Sequence, residues 1–242
     1  MTTIAAFDFD GTLLQGDCLL LFHRLLRGPG GMVLRWIRLL PVLLNWKAGR
    51  RNTTWFKQHY LAVILAGTKA RKRQQVLERD LPKLLIQRLR PEAVARLRWH
   101  DQQGHRLVIV SASPRALIQP VAQHLGAELI ATETNDLAGE AINASAQLNS
   151  PNCKGIEKLR RLEAWLGQPL QEFGLHAYGE SRGDRELLQA ACEPHWRSFN
   201  AALHPYPQRR KSDLGWVPFW DCCCWAWRSL ACCTLNLQPG RP

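Results

Sequence analysis

The sequence predicts an α/β protein: a parallel sheet with helices on both faces and an all-helical segment inserted after the first strand. Three observations lead there. Short apolar runs of strand length recur at residues 4–9 (IAAFDF), 106–110 (RLVIV), 128–132 and 175–178. From about residue 101 these runs alternate with helical patterns, the order that builds parallel sheets. Residues 17–100, by contrast, keep apolar spacings of three and four throughout.

Taken in order, residues 4–9 form a short buried strand that ends in the turn at residues 8–12. Residues 17–100 read as four or five helices. Leu77, Leu81, Leu84, Leu85 and Leu89 recur at helical spacing with basic residues between them, and Gly28, Gly49, Gly67 and Pro91 punctuate the pattern. Residues 106–110 are a second strand running into Ser111. A helix over 114–125 follows, closed by Gly126. Residues 128–132 are a third strand, and alternation around Gly139 predicts a small hairpin over 137–149. A helix over 154–166, a strand over 175–178, a helix over 184–191 and a last strand over 195–200 complete the pattern. From about residue 204 it dissolves into a tail rich in Pro, Trp and Cys, expected to be poorly ordered.

The chain has 242 residues and a net charge of +12, which points to an anionic partner. The excess is local: residues 16–100 hold 18 Lys and Arg against 4 Asp and Glu. A composition 46% apolar and 21% charged excludes wholesale disorder. The basic segment shows no aromatic stacking motif, so nucleic acid is not the expected partner. The start has no basic region of a secretory signal, and a reducing cytoplasm with free thiols is the expectation. The tail's cysteines at 222–224, 232 and 233 lack the spacing of a zinc site. No run is long enough to span a membrane. Residues 32–46 come nearest, broken by Arg35, Arg38 and Pro41. They read as a core-facing helix, with peripheral membrane contact as the second reading.

The chemistry-bearing residues sit where strands end, and in a parallel sheet those ends share one crevice. Asp8 and Asp10 flank a Phe, followed by Gly11 and Thr12. Two close carboxylates repel, and a Mg²⁺ ion would relieve the repulsion. Ser111 closes the second strand, where a hydroxyl and free N–H groups make an anion site. Lys154 opens a helix, a place the macrodipole disfavours for a cation. Glu180 and Asp184 follow the strand at 175–178.

In this order and at these strand ends, the four motifs resemble the signature of the haloacid dehalogenase-like (HAD) hydrolase superfamily, in its phosphoserine-phosphatase-like branch (subfamily IB). The resemblance covers residues 3–200. It implies a Rossmann-like core (1–15 and 101–203), a helical cap (16–100) over the site, and a Mg²⁺-dependent phosphatase. It casts Asp8 as nucleophile and Asp10 as general acid and base, with Ser111, Ala112 and Lys154 binding the phosphoryl oxygens. Asp8, Asp10, Glu180 and Asp184 would hold the metal, with Glu180 standing where most members carry Asp. Asp10 argues against a dehalogenase, because a halide leaving group needs no proton. The implied substrate is a phosphoserine-like small molecule or a lipid phosphate. The alternative is a catalytically weak hydrolase fold that binds nucleic acid or anionic membrane through its basic cap.

Overall fold

A computed structural model of the chain describes residues 2–135, 137–139 and 148–197. Five parallel strands form one sheet: β1 (Thr3–Phe7), β2 (Arg106–Pro114), β3 (Glu128–Thr132), β4 (Gly174–Gly179) and β5 (Glu193–Trp196), in the order β3-β2-β1-β4-β5. β1 is central because Ile4, Ala5, Ala6 and Phe7 are all fully buried, as a strand covered on both faces requires. Its neighbours β2 and β4 lie on opposite sides, so the direction in which strands are added reverses beside it and a crevice opens at its carboxyl end.

Helices α1 (Cys18–Lys47), α2 (Thr53–Leu65), α3 (Ala70–Gln75), α4 (Leu81–Gln87) and α5 (Pro91–Gln102) are inserted between β1 and β2, with a π-helical turn at Val76–Asp80. Asp17 caps α1 by accepting from the Leu20 N–H at 2.9 Å, and Asn52 caps α2 through Trp55 N–H. Gly28, at φ +67°, interrupts α1 just before Pro29. The sequence expectation ends the helical segment at residue 100, but α5 lies on the sheet. Its Arg96 Nε and His100 Nε2 reach the Tyr178 hydroxyl at 2.7 and 2.9 Å. One buried cluster runs from Phe7 and Tyr178 through Leu13 and Leu14 to Tyr60 and Ile64, so the insertion shares its core with one face of the sheet.

Helices α6 (Arg115–His124), α7 (Ile156–Leu166) and α8 (Arg185–Ala190) complete the layers. A second cluster, with Val108, Val110, Leu162 and Leu187, fills the other face. Two boundaries differ from the sequence reading. β2 continues four residues past Val110, so Ser111 lies in a strand whose pairing with β3 shifts between Ser111 and Pro114. β5 starts at Glu193, earlier than residue 195. Most of the predicted hairpin and the whole tail lie outside the described residues.

Candidate active site

The register of β1 against β4 sets the site. Asp8 follows β1 directly, and its N–H donates to Tyr178 O of β4 at 2.9 Å. Its carboxylate is therefore fixed at the sheet edge, with the residue only 5% exposed. Lys158, in the first turn of α7 and 1% exposed, places Nζ 2.5 Å from Asp8 Oδ1 and 2.5 Å from Asp184 Oδ1. Asp184 is held in turn by Ser181, whose N–H and hydroxyl donate to Oδ2 at 2.9 and 2.8 Å. Gly179 is required here, because a Cβ on it would stand 2.6 Å from the Asp184 Cβ.

Two buried carboxylates thus share one ammonium, and one negative charge is left over. Burial pushes Asp8 up to about 7 against the pull of Lys158, with Asp184 adding repulsion. Burial also raises Asp184, but Lys158 and the Ser181 donors outweigh it and hold Asp184 below the usual carboxylate range. Burial disfavours the Lys158 ammonium, yet the two carboxylates win and raise its pKa.

Asp10 is positioned by a different set. Cys18 N–H donates to Oδ1 at 2.7 Å, and the Ser113 hydroxyl donates to Oδ2 at 2.5 Å. Ser113 lies two residues beyond Ser111, and its N–H donates to Ser111 Oγ at 3.1 Å. Ala112 O accepts from Lys57 Nζ of α2 at 2.5 Å, and the same ammonium donates to Asn152 Oδ1 at 2.7 Å. The helical insertion therefore reaches the end of β2 and the segment before α7 with a half-buried cation. Burial lowers Lys57 to about 8, against the attraction of Asp17 and Asp10.

The sequence expectation puts the phosphate-binding lysine at Lys154. The structure leaves Lys154 exposed, its side chain against Gly183, and puts Lys158 beside Asp8 instead. The reason is helical phase: α7 starts at Ile156, and the first buried position after the Gly155 cap is Lys158, which shares a face with Leu162. A lysine on the apolar face of an amphipathic helix was the available signal. Ser113 and Lys57 carry no signal of this kind in the sequence, Ser113 because the apolar run stops at Val110 while β2 continues to Pro114.

Glu180 directly follows β4. Its carboxylate packs over Gly11, where a Cβ would fall 2.0 Å from Glu180 Oε1, and Gly11 itself has φ +81°. Arg90 approaches Glu180 Oε2 at 3.9 Å. Burial raises the Glu180 pKa, while Arg90 and Arg197 oppose the rise. A cavity of about 230 Å³ opens here, lined in part by Gly11, Thr12, Arg90, Glu180 and Arg197.

Asp8, Asp10, Glu180 and Asp184 are all hard oxygen donors, and the uncompensated charge at Asp8 and Asp184 suits a cation such as Mg²⁺. Among the described residues, no three acidic, His or Cys side chains converge on one point. The oxygen donor set is of the kind Mg²⁺ prefers, while Lys158 is the counter-ion in this arrangement.

Comparisons with known proteins agree with this architecture. Protein CicA of Caulobacter vibrioides is 32% identical over 200 residues, covering 81% of this chain and 86% of that protein. A protein of unknown function from Bordetella pertussis Tohama I has a solved structure with a TM-score of 0.65 at 22% identity, over 78% of this chain and 87% of that one. A phosphoserine phosphohydrolase-like protein from Francisella tularensis matches at 0.56 and 19% identity, over 79% and 84%. These two likenesses concern the fold. The profile of the haloacid dehalogenase-like hydrolases matches residues 5–189, and the chain belongs to that family.

Proposed function

We propose that the protein is a phosphatase that hydrolyses a phosphomonoester through an aspartyl-phosphate on Asp8. The observation that carries this is Lys158 held between Asp8 and Asp184 at 2.5 Å from each, at the carboxyl ends of β1 and β4. Asp8 attacks phosphorus in line through a carboxylate oxygen, and the ester P–O bond breaks. Asp10, fixed by Cys18 N–H and Ser113, gives its proton to the departing oxygen. It then takes a proton from the water that attacks the acyl phosphate, and inorganic phosphate leaves.

Lys158 and Ser111 supply fixed positive charge and a hydroxyl to the transferring oxygens, with backbone at Ala112 completing the cradle. Lys154, exposed at the rim, contributes far less than Lys158. Mg²⁺ would be held by Asp8, Asp10, Glu180 and Asp184, and it would neutralise charge on the phosphoryl group. The helical insertion acts as the cap, with Lys57 its reach into the site. The substrate class is a phosphomonoester of a small molecule or a lipid.

Release of phosphate from p-nitrophenyl phosphate and a panel of phosphorylated metabolites tests the reading. Activity is expected to require Mg²⁺ and to fall by roughly a thousandfold or more in Asp8→Asn. Unchanged turnover by that variant overturns the mechanism.

A further inference from the structure

The second half of α1 carries two apolar faces, and only one is used. Leu39 is fully buried, and Trp36 and Val42 pack against the core. On the other side Val33, Leu34, Ile37, Leu40 and Leu44 are 50–66% exposed. At about 100° per residue, Val33, Ile37, Leu40 and Leu44 fall within roughly 60° of one another, with Leu34 at one edge. That is a continuous stripe, unlike the singly scattered exposed apolar residues of an ordinary surface. Arg38 borders it on one side and Lys47 on the other, by the same geometry.

The surrounding charge selects the occupant. From residue 18 to residue 77 the chain has twelve Lys and Arg and no Asp or Glu. A second copy of the same surface would bring basic flanks against each other, since a two-fold interface pairs a patch with itself. An anionic lipid surface satisfies both features: acyl chains for the stripe and headgroup phosphates for the flanking cations. Arg and Lys can lay their stems along the apolar boundary and keep their charges at headgroup level. No helix among the described residues is long and apolar enough to cross a membrane, so α1 would lie in the interface.

We infer that the outer face of α1, centred on Ile37, docks the protein on anionic membrane surfaces. This contact is separate from the phosphatase reading and does not depend on it. The test is flotation of the full chain with extruded vesicles of phosphatidylcholine alone, or of three parts phosphatidylcholine to one part phosphatidylglycerol. Neither lipid is a phosphomonoester, so the result is independent of any catalysis. Binding to the mixed vesicles at low salt is expected to be at least about tenfold stronger than to the neutral ones, and to be lost near 0.5 M salt. The triple variant Leu34→Asp, Ile37→Asp, Leu44→Asp should bind at least about tenfold more weakly with unchanged turnover of a soluble aryl phosphate. The milder pair Ile37→Ser, Leu44→Ser should still weaken binding by roughly threefold, which keeps the test readable if the triple variant folds poorly. Failure of the parent to float with anionic vesicles overturns the inference, as does equal binding by the milder pair. A dimer in light scattering that the same substitutions dissolve also overturns it, by assigning the stripe to a second copy.

Discussion

Replacing Lys158 by Met should separate the two lysines of the α7 entry. Lys158 is buried and carries two carboxylates at 2.5 Å. Its removal leaves Asp8 and Asp184 facing each other with no cation, and breaking a buried pair from one side costs about 3–5 kcal/mol. For a chain of this length, about 2–4 °C of melting temperature follow each kcal/mol, so a fall of roughly 6–20 °C is expected. The rate should suffer separately. Loss of one preorganised charge on the transferring group costs about 2.7–4 kcal/mol in the barrier, or roughly 10²–10³ in turnover. Lys154→Met, at an exposed position, should change stability by less than about 0.5 kcal/mol and turnover by less than about threefold. The assay is Mg²⁺-dependent release of p-nitrophenol at 25 °C, beside far-UV melting of each variant. Lys158→Arg keeps the charge with another shape, so it should recover part of the melting temperature while turnover stays low. If Lys154→Met lost the activity and Lys158→Met kept it, the reasoning from buried geometry would be refuted.

Gly11→Ala should lose at least about tenfold in turnover, because its Cβ would meet Glu180 Oε1 at 2.0 Å on a backbone at φ +81°; parental kinetics would sink that account. Glu180→Asp should lower the Mg²⁺ concentration at half-maximal activity by several-fold, since it withdraws the carboxylate from its position over Gly11; a titration with a higher midpoint counts against it. His23 is fully buried, with Nδ1 3.0 Å from the Tyr60 hydroxyl, and burial, then Arg27 and Arg35, lower its pKa to about 4. The folded state therefore resists protonation that the unfolded chain accepts near pH 6.5, so stability is present above that pH and is lost as pH falls from 6.5 toward 4. Between pH 7 and pH 5, urea melts of His23→Leu should lose about 2 kcal/mol less than the parent; equal losses would exclude His23 as the source.

The sheet was legible because buried strands announce themselves. IAAF and RLVIV are apolar on every residue or nearly so, and each is followed by the polar side chains of the crevice. Asp8, Asp10, Ser111, Glu180 and Asp184 stand out in the sequence for the same reason, as polar residues placed where an apolar run stops. Lys158 was harder. It lies inside a helix, where position along the chain says little and phase says much, and the start of α7 at Ile156 had to be known to within one residue. Ser113 depended on β2 running on through Ser111, which the pairing with β3 decides and local sequence does not. The membership of α5 was illegible too. Ala93 and Leu97 announce an apolar face, but not that the face meets the sheet.

The charge of the helical segment divides into two populations that salt can tell apart. Lys57 is half-buried, and its ammonium donates to Ala112 O and Asn152 Oδ1. Arg38 and Lys47 are exposed beside the α1 stripe. Screening acts on charges in water and much less on buried pairs, with a Debye length of about 10 Å at 0.1 M salt and about 3 Å at 1 M. Raising salt should therefore release the protein from anionic vesicles while turnover of a small neutral-headed phosphomonoester changes little. A parallel loss of both would mean that the exposed basic residues work at the site itself, as steering for the substrate, and that the stripe and the crevice belong to one surface.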